Sequence, residues 1–172
     1  MIPVIKKILF TTDLSKESRQ AFDYAVSLAD RYGASITILH VIEEVAAPAS
    51  VYLQDFLGDE RWQQIKDSHE QEARQILIGK RREGAMIREA LGEFAQQAKV
   101  ELGQSGIVMD EILVVHGTVV EEILQEAQRR SCDLIVMGYH ARGRLEEAVV
   151  GSTTRRVLRR SHIPVLLVRL AE

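Results

Sequence analysis

Asp13 and the pair Gly151-Ser152 are the residues whose types and settings best suit ligand chemistry in this chain of 172 residues. Asp13 lies in Thr11-Thr12-Asp13-Leu14-Ser15, directly after an apolar run. An ionised carboxylate only accepts hydrogen bonds, which suits it to a sugar hydroxyl or an exocyclic amine. The same aspartate, or Ser15, equally suits the N-cap of a following helix. Gly151 allows a close backbone approach, Ser152 adds a hydroxyl, and the first N–H groups of a helix starting there point outward unpaired. That is a phosphate site, although an ordinary capped helix reads the same way.

Other patterns exclude chemistry. Gly138 and Gly143 have P-loop spacing, but Arg144 and Leu145 stand where lysine and a hydroxyl are needed. No Gly-x-Gly-x-x-Gly follows any strand-like run, which argues against NAD or FAD. The five histidines show no metal-ligand spacing with one another or with Cys132. His40 and His116 read as structural residues near strand ends, whereas His140 sits within the Gly138 loop. Arg155, Arg156, Arg159 and Arg160 read as a solvated helix face. No serine or cysteine has a base and orienting partner around it, so no catalytic residue is assigned.

The elements that must position these residues alternate. Five apolar, β-branched runs read as strands: Val4 to Phe10, Ser35 to Ile42, Val108 to Val115, Leu134 to Met137 and Pro164 to Val168. Their near-continuous hydrophobicity is that of strands buried on both faces of a parallel sheet. Between them, Phe22, Ala25, Val26 and Ala29 recur at helical spacing before Gly33, a stop signal. Thr118 and Glu121 form a capping-box pattern ahead of Ile123, Leu124 and Ala127. A last helix opens at Gly151 with Val157 and Leu158 expected to face inward. The pattern predicts an α/β fold, doubly wound, in which the tips of the first and fourth strands share a crevice.

From 43 to 106 no strand is legible. Residues 45 to 59 read as a loop, and Ile87, Leu91, Phe94, Ala98 and Leu102 mark an amphipathic helix. Gly79 and Gly84 are expected to kink or split the longer helical run. The stretch reads as an elongated crossover with a surface insertion or, more sharply, as a lid or partner-binding arm.

Composition sets the class: 46% apolar, 27% charged, and a formal charge of −3. These values exclude wholesale disorder and give no reason to expect a nucleic-acid surface. No apolar run approaches the roughly 18 to 20 residues of a membrane span. Lys6 and Lys7 interrupt what would be a signal peptide's apolar core, and a lone Cys132 suits a reducing cytosol. The expectation is a single cytoplasmic domain over 1–172.

Taken together, Ile8 to Ser15, Leu39-His40-Val41, Val136-Met137-Gly138 and the stretch from Gly151-Ser152 through Ile163 to Val168 resemble the universal stress protein family. The resemblance implies a Rossmann-like parallel sheet of five strands in order 3-2-1-4-5, and a homodimer through the last strand. The family's nucleotide-binding branch carries Gly-x2-Gly-x9-Gly-Ser/Thr, matched here by Gly138, Ala141 and Gly151-Ser152, with alanine at the second glycine. By that resemblance Asp13 and Val41 meet an adenine and Gly138 a ribose. Ala141, Arg142 and Gly143, with Gly151, Ser152 and Thr153, hold phosphates. Thr11, Thr12, Met137 and His140 complete the candidate site at the strand tips. The implied ligand is ATP or AMP, with Mg²⁺ beside a triphosphate. The implied role is that of a stress-response sensor, with at most slow ATP hydrolysis. The alternative is the family's other branch, which binds no nucleotide and acts through dimer and partner contacts.

Overall fold

A computed structural model describes residues 2–43, 50–72, 79–101, 103, 106–140 and 151–171. Five parallel strands form one sheet in the order β3-β2-β1-β4-β5, as the resemblance implied. They are β1 (Lys7–Thr11), β2 (Ser35–Ile42), β3 (Met109–His116), β4 (Leu134–His140) and β5 (Val165–Leu170). The first starts later than its apolar pattern, and Val4 is exposed. The reason is local: Asp133 Oδ2 accepts from the backbone N–H groups of Lys6 and Lys7, at 2.7 and 3.0 Å.

In β1, Ile8, Leu9 and Phe10 are fully buried because the two faces of the strand feed two cores. Ile8 and Phe10 join the face covered by α1 (Ser18–Tyr32), α2 (Ser50–Leu57), α3 (Asp59–Glu72) and α4 (Gly79–Glu101). Leu9 joins the opposite face, beneath α5 (Val119–Arg129) and α6 (Ser152–Arg160).

Helix ends follow the sequence only in part. Gly33 closes α1 in the left-handed conformation, at φ 63°, where a glycine carries no Cβ penalty. Thr118 holds the N-cap position of α5, but its hydroxyl makes no capping bond. The first turn of α6 turns Thr154 and then Val157 to the core, which leaves Leu158 45% exposed rather than inward. Gly84 lies inside a continuous α4 and does not split it.

The stretch expected as a loop over 45–59 contains α2; its residues 45–49 lie outside those described. All four phenylalanines of the chain then form one ladder. Phe10 in β1 meets Phe22 in α1 at 5.0 Å between centroids, Phe22 meets Phe94 in α4 at 5.0 Å, and Phe94 meets Phe56 in α2 at 4.5 Å. Tilted pairs at such distances add stabilisation beyond their buried area. Trp62 is 6% exposed in the same core, and Ile87, Leu91, Phe94 and Ala98 are buried along α4. The described helices of the stretch are thus packed on the sheet as an elongated crossover.

Two measurements check this packing. Leu91→Ala, at a fully buried site, is expected to lower unfolding free energy by about 2–5 kcal/mol. Trp62 fluorescence and far-ultraviolet circular dichroism are expected to give coincident urea transitions. A Trp62 transition that precedes the loss of sheet signal refutes common packing.

Candidate functional site

The strand order reverses between β1 and β4, and the chain leaves these neighbours on opposite faces. The crevice beyond their carboxyl ends is where open parallel sheets admit ligands. A cleft of about 600 Å³ lies there. Its lining includes Thr11, Thr12, Asp13, Val41, Met137, Gly138, His140, Gly151, Ser152 and Thr153, which the sequence singled out. Ala141, Arg142 and Gly143 lie outside the described residues. Tyr139, at the tip of β4, also lines the cleft, as do His40, Glu43, Glu83, Ile87 and Leu170, to which sequence reasoning gave no such place. Helical periodicity had flagged Ile87 for burial only. No local signal in the sequence marks Glu83.

The loop after β1 is shaped by a chain of hydrogen bonds. Thr12 N–H donates to the Leu39 carbonyl at 3.0 Å, and its carbonyl faces His40 Nδ1 at 2.9 Å. Thr12 Oγ1 donates to Ser18 Oγ and accepts from Leu14 N–H, both at 3.0 Å. Leu14 is thereby held at φ 63°, a left-handed conformation costing an L-residue roughly 1–2 kcal/mol, while its side chain is buried. Asp13 Oδ1 accepts from Ser15 N–H at 2.9 Å. Neither Asp13 nor Ser15 caps α1, whose N-cap position is Glu17. The Asp13 side chain is 61% exposed, and its Oδ2 lies 3.9 Å from His140 Nε2, across the β1–β4 boundary.

The two glycines of the cleft differ in what requires them. A Cβ at Gly138 would meet Leu170 side-chain atoms at 2.7–2.9 Å, so β5 packing alone demands glycine there. Gly151 has φ −52° and no described residue within 4 Å of an added Cβ. Neither backbone conformation nor packing against the described residues accounts for it. It opens α6 and, as a glycine, brings no side chain to cap the helix's first N–H groups.

His40 is more than structural, since it binds the β1 loop and lines the cleft. Burial pushes its pKa below 6.5, outweighing the Thr12 bond and the fields of Asp13 and Glu83. Away from the site, burial pushes the Cys132 thiol up to about 11, which leaves it protonated and unreactive. No group of three or more His, Cys, Asp or Glu suited to a metal occurs among the described residues. None of their helices is long and apolar enough to cross a membrane.

Fold and cleft define a doubly wound α/β protein with a ligand crevice at its switch point. The universal stress protein family model matches residues 5–169, and the chain belongs to that family. Universal stress protein MJ0577 of Methanocaldococcus jannaschii is 29% identical over 169 residues, 98% of each chain. The solved structure of MJ0577 superposes with a TM-score of 0.58 at 26% identity, covering 99% of both chains. Universal stress protein YxiE of Bacillus subtilis is 30% identical over 171 residues, 96% of this chain and 100% of that one. A universal stress protein solved in complex with cAMP shares the fold, with a TM-score of 0.59 at 21% identity, covering 98% of this chain and 100% of that one.

The depressed pKa of His40 sets a pH dependence. The unfolded chain takes up a proton near 6.5, whereas the folded chain resists it until lower pH. The stability this residue contributes is therefore intact above 6.5 and is lost as pH falls through the folded value. Urea midpoints at about pH 7.5 and about pH 5.5 are expected to differ more in the wild type than in His40→Gln. An equal drop in both proteins contradicts the assignment.

Proposed function

We propose that this chain binds an adenine nucleotide in the switch-point cleft and acts as a stress-response sensor rather than a metabolic enzyme. The observation that carries this reading is Gly151, a helix-opening glycine on the cleft that neither its dihedral nor any contact with the described residues explains. The backbone N–H groups of a helix's first turn suit a phosphate. Asp13, exposed on the opposite lip, supplies the acceptor for a ribose hydroxyl or an amine. The solved cAMP complex of a fold relative supports a nucleotide as the ligand class. Within this reading Gly151, Ser152 and Thr153 hold phosphate, Val41 and Met137 pack the base, and Mg²⁺ accompanies a triphosphate. Residues 1–172 act as one cytoplasmic domain.

Released nucleotide is identified after denaturing the purified protein. The stripped protein is then titrated calorimetrically with ATP, AMP and cAMP, with and without Mg²⁺. The expected result is stoichiometric binding, weakened at least about tenfold by Gly151→Val or Asp13→Ala. No heat at millimolar nucleotide overturns the reading. A second reading, the family's nucleotide-free branch, is favoured by Ala141 at the motif's second glycine. Binding that emerges only in Ala141→Gly selects it.

We further propose a homodimer through β5, whose outer edge has no partner strand within the sheet. An apolar edge strand needs covering, and a two-fold axis supplies an identical strand. Light scattering after size exclusion is expected to give twice the chain's 19.4 kDa. A monomer at tens of micromolar refutes the dimer.

A further inference from the structure

The crossover helix α4 reaches the cleft and carries a carboxylate to its wall. Glu83 and Ile87, one helical turn apart, both line the cleft. Ile87 is 1% exposed and Glu83 half-buried. Glu83 lies near enough to His40 for its charge to act on the imidazole.

The carboxylates and the imidazole of this wall present acceptors. A carbonyl only accepts, so the 2.9 Å contact with Thr12 places the His40 proton on Nδ1. Burial keeps the ring neutral, which leaves Nε2 as an acceptor. Whatever other partner it holds, the Glu83 carboxylate also only accepts. Among the described lining residues there is no lysine or arginine, while Asp13, Glu43 and Glu83 all contribute. A base with an exocyclic amine brings two N–H donors to such a wall. An oxo group brings lone pairs against lone pairs, a repulsion that discriminates more strongly than a missing contact.

We propose that Glu83, together with His40, is the specificity-determining element of the cleft, selecting a purine that bears an exocyclic amine over its oxo counterpart. The inference rests on the nucleotide reading above and adds to it the residues that choose the base.

The test uses three ligands differing at the purine 6-position, and in IMP also by the N1 proton that accompanies the oxo group: AMP, IMP and purine riboside 5′-monophosphate. The wild type is expected to bind AMP at least about tenfold more tightly than either of the others. In Glu83→Gln one acceptor becomes an amide donor, and the AMP-to-IMP ratio is expected to narrow at least about fivefold. Glu83→Ala is expected to weaken AMP while leaving purine riboside monophosphate within about twofold. Position 83 is half-buried on the helix surface, and circular dichroism verifies that the variants fold. Equal wild-type affinities for the three ligands, or an unchanged ratio in Glu83→Gln, overturn the assignment and leave nucleotide binding intact. Failure of all three to bind overturns both.

Discussion

The pairing of β1 with β2 on one side and β4 on the other is the constraint from which the rest of the molecule follows. A strand with neighbours on both edges and helices over both faces has no polar surface, and Ile8, Leu9 and Phe10 are accordingly at zero exposure. Because the flanking halves wind away in opposite directions, no helix can cover the carboxyl end of β1. The gap becomes the cleft. Thr12 follows β1 with both backbone groups tied to β2, one to Leu39 and the other to His40. The turn at Leu14 is strained as a result, and Asp13 is left facing solvent.

Strands were legible in the sequence because burial on both faces removes alternation, and unbroken β-branched runs survive any tertiary detail. β2 begins and ends where its apolar pattern does. α2 was not legible, because its eight residues depend on contacts made elsewhere. Phe56 finds Phe94, far along the chain, and the sequence cannot display that meeting. The same physics divides the cleft. Residues at strand tips could be named because a parallel sheet gathers its tips on one edge. Glu83 could not, because it reaches that edge from a helix whose rotation is set by packing against β3 and the phenylalanine ladder. The Thr118 pattern was legible as a helix start yet misled about its cause, since that hydroxyl makes no capping bond.

The cleft is electrostatically uneven. Carboxylates of Asp13, Glu43 and Glu83 gather toward the ends of β1, β2 and α4, whereas the α6 side offers backbone N–H groups and the partial positive end of a helix. An elongated ligand that is a donor at one end and anionic at the other matches both, and reversing it would set like charges together. Orientation is therefore imposed by field before any contact is perfected.

Leu170 belongs to two structures at once. It is the last residue of β5, and its side chain fills the space that Gly138 leaves beside the cleft. An object that shifts β5 moves a wall of the binding site, and an object that swells the cleft presses on β5. Thermodynamic reciprocity makes that traffic symmetrical: whatever factor an occupant of the cleft applies to association along β5, association applies to the occupant. A single leucine thus joins the sheet edge to the wall of the crevice.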